Sequence, residues 1–193
     1  MSNYPFPTIN DLTFVAYSGA RIVLDGFYVT GQPSTAAYTA LAQTAGVKSV
    51  ICVRSPSETV ATPPPVPPAP PFDKNESAEL GKLGVSYANI PIERTMTQSE
   101  FDTAATDAAL TLLANYWQGT ALIHCSTGDR ASSAFAVLLI LAAGQTNTQA
   151  VDYATNCLLL ANPNMIALVQ GYSVPHVMAD RAEAIKGSLP RKK

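Results

Sequence analysis

Charge is scarce in this sequence. Asp, Glu, Lys and Arg make up 13% of it, against about a quarter in ordinary soluble domains. The few charges nearly cancel, to a net −2, so electrostatics give no general reason to expect a nucleic-acid partner. Histidine is scarcer still. His124 and His176 are the only two, which excludes a metal site built on several histidines. Cysteine is limited to Cys52, Cys125 and Cys157. An odd, widely spaced set suits neither a disulfide framework nor zinc-ligand spacing. The expected setting is a reducing cytoplasm with free thiols. No apolar run approaches the roughly 18 residues of a membrane span. The longest, Ala134 to Ala143, fits a buried helix, and no membrane partner is expected. The start, Met1 to Pro7, lacks a basic region followed by an apolar one and does not read as a signal peptide. The short basic end, Arg191-Lys192-Lys193, reads as a solvated tail.

What is abundant is apolar material, 47% of 193 residues, enough for one sizeable core. Arg21 to Leu24 and Phe27 to Val29 read as short strands joined by the turn pair Asp25-Gly26. Gly31-Gln32-Pro33 breaks the chain, and Ser34 is placed to cap a helix running to about Ala45. Val47 to Val53 is a β-branched, apolar strand of the buried kind. Seven prolines then fall between Pro63 and Pro71, which neither a sheet nor a helix tolerates. This stretch reads as an extended loop inserted at about 60–73, and a Pro-rich loop is a candidate for binding a partner. A short helix over Asn75 to Leu83 and a strand over Gly84 to Ile92 follow. Phe101, Ala105, Ala108, Leu112 and Tyr116 recur at helical spacing across Thr97 to Tyr116. Thr120 to His124 is a further strand, Ala131 to Ala143 a central helix, and 148–161 and 174–186 are helical, with Asn162-Pro163 as a break. Strands alternating with helices predict a single α/β domain over 1–193, its central sheet of four or five mostly parallel strands flanked by helices.

The chemistry concentrates in Cys125-Ser126-Thr127-Gly128-Asp129-Arg130. An apolar strand enters this polar turn and a helix leaves it. Backbone N–H groups of such a turn point inward, and the helix N-terminus adds about half a positive charge. Ser126, Thr127, Gly128, Asp129 and Arg130 are therefore the candidate phosphate-binding residues. Gly128 permits the backbone turn, and Arg130 offers a planar fork of donors. Cys125 stands at the mouth of this cradle. The dipoles that attract an oxyanion also favour a thiolate, which makes Cys125 the candidate nucleophile. Cys52, in an apolar strand, and Cys157, beside Leu158-Leu159-Leu160, read as inert core residues.

His124-Cys125 followed by Arg130 resembles the active loop of the cysteine-dependent protein tyrosine and dual-specificity phosphatases. That family places five residues between cysteine and arginine, then Ser or Thr; here there are four, then Ala131. The shorter loop is similar to a bacterial subfamily, the dual-specificity-like phosphatase domain associated with β-lactamase-hydrolase-like proteins. Leu24 to Ser34 resembles its opening strand and Gly-Gln-Pro turn, Ala45 to Arg54 its next strand, and Tyr87 to Ile92 the strand before its acid loop. The resemblance implies a phosphatase-type fold and a phosphocysteine intermediate on Cys125. It implies Arg130 and the loop amides as the electrophilic partners, with no cofactor and no metal. It also implies a carboxylic acid that protonates the leaving oxygen, for which Glu93 and Asp129 are both candidates. Ser132 is the candidate for the missing hydroxyl, and His124 is expected to orient the loop rather than act as a base. The expected partner is a phosphorylated protein or a small phosphomonoester.

Two other readings stay open. Rhodanese-like sulfurtransferases also carry a loop of cysteine, four residues and arginine, and Val53 to Glu58 echoes one of their segments; Cys125 would then carry a persulfide. No stretch like Gly-His-Ile-Pro-Gly-Ala accompanies it. A non-catalytic phosphate-binding module is the third reading, supported by Ala131 and the imperfect acid loop.

Overall fold

The computed structural model describes residues 8–10, 21–23, 26–55, 58, 72–116 and 118–185. Most of the Pro-rich insertion and the basic end lie outside them. The strands are β1 (Thr8–Asn10), β2 (Arg21–Val23), β3 (Phe27–Thr30), β4 (Val47–Cys52), β5 (Ser86–Asn89) and β6 (Thr120–His124). They form one sheet in the order β1-β2-β3-β6-β4-β5. β3, β6, β4 and β5 run parallel, and β2 and β1 add an antiparallel edge. The parallel core is the expected one; β1 was not anticipated from the sequence.

The helices are α1 (Thr35–Gln43), α2 (Phe72–Lys82), α3 (Gln98–Tyr116), α4 (Asp129–Ala143), α5 (Asn147–Cys157), α6 (Pro163–Gln170) and α7 (Ala179–Ile185), with a 3-10 turn at His176–Met178. α1 and α2 cover one face of the sheet, where Tyr28, Leu41, Val50, Leu80 and Leu122 pack together. The other face carries α3 and α4 on Phe27, Ile51, Ile123 and Phe135. α4 also touches α5, α6 and α7, which explains why its residues are apolar on every side. Phe27 stacks on Tyr116 at 4.3 Å and meets Phe135 edge-on at 5.6 Å, pinning β3 to α3 and α4. Truncating such a buried ring costs about 3–5 kcal/mol.

Several boundaries differ from expectation. Ser34 caps α1 as read, its side chain accepting from the Ala37 amide at 3.2 Å. α2 begins at Phe72 rather than Asn75, and β5 covers only Ser86–Asn89. Val85 is drawn back onto the end of α2 through its N–H to the Leu80 carbonyl, 3.0 Å, and Pro91 has no N–H to continue a ladder. Asn162-Pro163 does not merely break the chain. Asn162 accepts from the amides of Asn164 and Met165, and Pro163 opens α6, the position where a missing N–H is harmless. α4 starts two residues earlier than read, so Asp129 and Arg130 belong to its first turn.

Candidate active site

β6 is flanked on both sides by parallel strands and is apolar for that reason. Its last residue, His124, pairs with Thr30 of β3 and with Cys52 of β4. The turn from Cys125 to Gly128 therefore leaves the carboxyl end of a central strand, where open α/β sheets place their ligands. Cys125 is fully buried. Gly128 has φ of +93°, a left-handed conformation open to glycine. That turn brings its N–H onto Cys125 Sγ, 3.1 Å away. A Cβ at Gly128 would lie 2.2 Å from Leu159 Cδ1, so backbone angle and space demand glycine together. The Gly128 carbonyl accepts from Ser132 N and Ser132 Oγ, both at 2.8 Å. The amides of the first turn of α4 then have no carbonyl of their own helix to meet.

A second turn leans on this loop. Gln32 N donates to the Ser126 carbonyl at 3.1 Å, and a Cβ on Gly31 would press to 3.0 Å from the same oxygen. The Gly-Gln-Pro segment is thus a backbone support for the cradle.

Arg130 is buried, 4% exposed, and four of its five donors are engaged. Glu58 accepts from Nη1 and, at 2.7 Å, from Nη2. Nη1 also donates to the Ile92 carbonyl at 3.0 Å, and Nη2 to Ser126 Oγ at 3.2 Å. Nε is buried without a partner. The end of the guanidinium is thereby clamped, while the side formed by Nε and Nη2 holds one weak bond and one unmet donor. Arg54 adds a second cation, with Nε 3.5 Å from Glu58 Oε2 and Nη2 on the Glu58 carbonyl at 2.9 Å. Burial pushes the Glu58 carboxyl up, but the bonds from Arg130 and Ser55 and the charges of Arg130 and Arg54 outweigh it and leave it below its ordinary value.

The two candidate acids separate in space. Asp129 is buried and turned away from the cradle. Its Oδ1 accepts from the amides of Ala161 and Asn162, both at 2.8 Å, and Oδ2 lies 3.7 Å from Arg94 Nε. Arg94 is its cationic neighbour. Glu93 is exposed and lines an open cleft of about 220 Å³ together with Ser55, Glu58, Arg94, Thr95, Ser126 and Arg130. Thr127 is exposed on the rim, its Oγ1 3.4 Å from Arg94 Nη2. Ser132 is fully buried and engaged, donating to Gly128 O and accepting from Leu159 N at 3.0 Å.

Behind the loop lies a buried polar cluster. His124 Nε2 is 3.1 Å from Tyr38 Oη and 3.2 Å from Glu76 Oε1, and Nδ1 is 3.4 Å from the Cys125 carbonyl. Tyr38 donates to Glu76, and Gln32 Nε2 reaches the same oxygen at 2.8 Å. Gln32 Oε1 in turn accepts from Arg54 at 2.9 Å. Burial pushes the His124 imidazole down, but Cys52 and Glu76 beside it carry it up to about 10. Cys52 is therefore part of a polar group rather than an inert core residue.

Sequence reasoning missed the roles of Glu58 and Glu76. Glu58 carries no local signal, since its partner is 72 residues away. Glu76 does carry one: it shares a helical stripe with Leu80 and Leu83, an acidic residue on an apolar face.

No family model and no curated protein matches this sequence. Solved structures match its fold. TpbA of P. aeruginosa is 16% identical, with a TM-score of 0.62 over 94% of this chain and 96% of that one. The catalytic core of the PP-IP phosphatase Siw14 from S. cerevisiae is also 16% identical, with a TM-score of 0.58 over 86% and 91%. A putative phosphatase from Shewanella putrefaciens CN-32 is 22% identical, with a TM-score of 0.52 over 80% and 87%. The chain shares the fold of these solved structures, which are themselves cysteine-dependent phosphatase-like.

Proposed function

We propose that this protein hydrolyses phosphomonoesters through a phosphocysteine on Cys125, as a protein tyrosine or dual-specificity phosphatase. One observation carries the reading. The Cys125 sulfur with its bond from the Gly128 N–H, the N-terminus of α4 and the Nε of Arg130, which has no hydrogen-bond partner, belong to one turn. A helix start and a guanidinium beside a sulfur suit an oxyanion.

The substrate phosphate docks against the Nε and Nη2 side of Arg130. One of its oxygens replaces Ser126 Oγ at Nη2. The Cys125 thiolate then attacks phosphorus. A sulfur–phosphorus bond forms as the bond to the leaving oxygen breaks, and Glu93 gives that oxygen its proton. Arg130 and the loop amides hold the remaining phosphate oxygens, whose charge rises in the transition state. Water next attacks the phosphocysteine. Glu93 takes its proton, phosphate departs, and the thiolate is restored. Glu93 is the acid in this reading because it lines the cleft with Arg130, whereas Asp129 is bound to the backbone of residues 161 and 162. Aryl phosphates are the favoured class, since a phenolate leaves with less help from an acid. TpbA has been crystallised with phosphotyrosine and PTPMT1 with PI(5)P, and both are phosphomonoesters.

The experiment is turnover of p-nitrophenyl phosphate by wild type and Cys125→Ser. The variant is expected to lose turnover while keeping its affinity for inorganic phosphate. Full activity in the variant, or release of thiocyanate from thiosulfate and cyanide by the wild type, overturns the assignment; the second result favours sulfurtransfer.

A further inference from the structure

We propose that Cys52, Glu76 and His124 form a structural zinc site, buried on the α1 and α2 side of the sheet directly behind the active loop. The sheet register creates it. Cys52 and His124 are partners on the neighbouring parallel strands β4 and β6, so their side chains emerge on one face about 4.8 Å apart. Glu76 reaches the same point from α2. The sulfur, the imidazole nitrogen and a carboxylate oxygen all lie within 4.8 Å of one another, and all three residues are buried.

Their chemistry is that of a zinc donor set: thiolate, imidazole and carboxylate. Oxygen-seeking magnesium or calcium would not choose it. The 3.2 Å between His124 Nε2 and Glu76 Oε1 matches the edge of a tetrahedron whose bonds are about 2.0–2.1 Å. Cys52 needs to close in by a small side-chain rotation, and its sulfur already accepts from Arg54 N at 3.3 Å. Tyr38 Oη lies 3.1 Å from the same nitrogen. The outer contacts fit as well. With Nε2 on the metal, Nδ1–H faces the Cys125 carbonyl, the arrangement that orients most metal-bound histidines.

A second observation concerns the outer oxygen of Glu76. Glu76 is 6% exposed, and its Oε2 has no hydrogen-bond partner. The buried hydroxyl of Tyr87 lies against Cys52 and Glu76 without reaching ordinary hydrogen-bond geometry. A carboxylate oxygen left bare in a protein interior is costly. A divalent ion on this carboxylate offsets its charge, and one thiolate with one carboxylate balances the ion, so the loaded site is neutral where water is excluded. The ion would tie β4, β6 and α2 together and hold the carbonyl of Cys125 through His124.

The test uses the full chain expressed with zinc and dialysed free of loose metal. One zinc per chain is expected by elemental analysis, with X-ray absorption showing a single sulfur among nitrogen and oxygen ligands. Exchange for Co²⁺ should give a sulfur-to-cobalt charge-transfer band that persists in Cys125→Ser and disappears in Cys52→Ala. Zinc affinity should fall at least about a hundredfold in Cys52→Ala, at or beyond the upper end of what losing an outer partner costs. Absence of retained zinc together with no rise in melting temperature on adding it overturns the proposal. So does a zinc shell without sulfur, which needs no variant to observe, or a cobalt band that follows Cys125 instead of Cys52. The phosphatase reading is tested separately by turnover and survives either result.

Discussion

Removing the Glu58 carboxylate tests how Arg130 is held. In the wild type, Glu58 grips both terminal nitrogens of the guanidinium, leaving the Nε side for substrate. Glu58→Ala deletes two charge-assisted hydrogen bonds, each worth about 1.5–3 kcal/mol in protected surroundings. The Glu58 side chain is 30% exposed and that of Arg130 5%, so water recovers part of this. Arg130 keeps its bond to Ile92 O, which limits its drift. The net loosening comes to about 2 kcal/mol, somewhat below the roughly 3 kcal/mol at the low end for two such bonds because water recovers part. Carried wholly into the transition state, that lowers kcat/KM about 30-fold. Most of the loss should appear in kcat, because the charge that Arg130 meets is greatest in the transition state. Glu58→Gln keeps one acceptor and should lose less. Steady-state hydrolysis of p-nitrophenyl phosphate reads both constants. A kcat/KM for Glu58→Ala equal to or above wild type refutes the reasoning, because the carboxylate would then be a plug that phosphate must expel rather than a clamp.

Glu58 also sets an acid limit. Its carboxyl is held below the ordinary value, so the pair stabilises the fold above the unfolded-state value of about 4.3 and fades as pH falls through the lowered one; thermal melts between neutral pH and pH 3 should fall more steeply for wild type than for Glu58→Gln. Gly128→Ala places a methyl group 2.2 Å from Leu159 Cδ1 at a φ of +93°. Losses of about 1–3 kcal/mol from each of strain and overpacking should abolish turnover, and Leu159→Ala should restore stability only in part. Asp129→Asn weakens two buried bonds to the amides of Ala161 and Asn162 and should cost about 1–3 kcal/mol in a urea melt, with a modest fall in kcat as the residue beside Arg130 loosens. Glu93→Gln should do the reverse, with little change in stability and a larger fall in kcat for alkyl than for aryl phosphates; equal falls would remove Glu93 as the acid.

Local features were legible in the sequence because local physics fixes them. The strand, turn and helix around Cys125 could be read from an apolar run, a glycine and an arginine, and the Ser34 cap from one hydroxyl ahead of a helical stretch. The start of α4 was misplaced because Asp129 and Arg130 look like turn residues. Their side chains instead find partners far away, at residues 161 and 162 and at Glu58, and this frees their backbone to be helical. The short β5 shows the opposite case, where apolar content suggested a longer strand and backbone donors decided otherwise. Glu76, Cys52 and His124 were not legible as a group. Strand register brings the latter two together across 72 positions, and no spacing rule spans that distance.

The bond from Asp129 to the backbone at 161 and 162 gives the C-terminal helices a mechanical hold on the catalytic turn. Shearing of α5 against α6 would tug on the residue beside Arg130 without passing through the cleft. A small molecule or a truncation acting on the far side of the molecule could thus throttle turnover from a distance, and activity lost on trimming the chain before residue 161 would register that leverage.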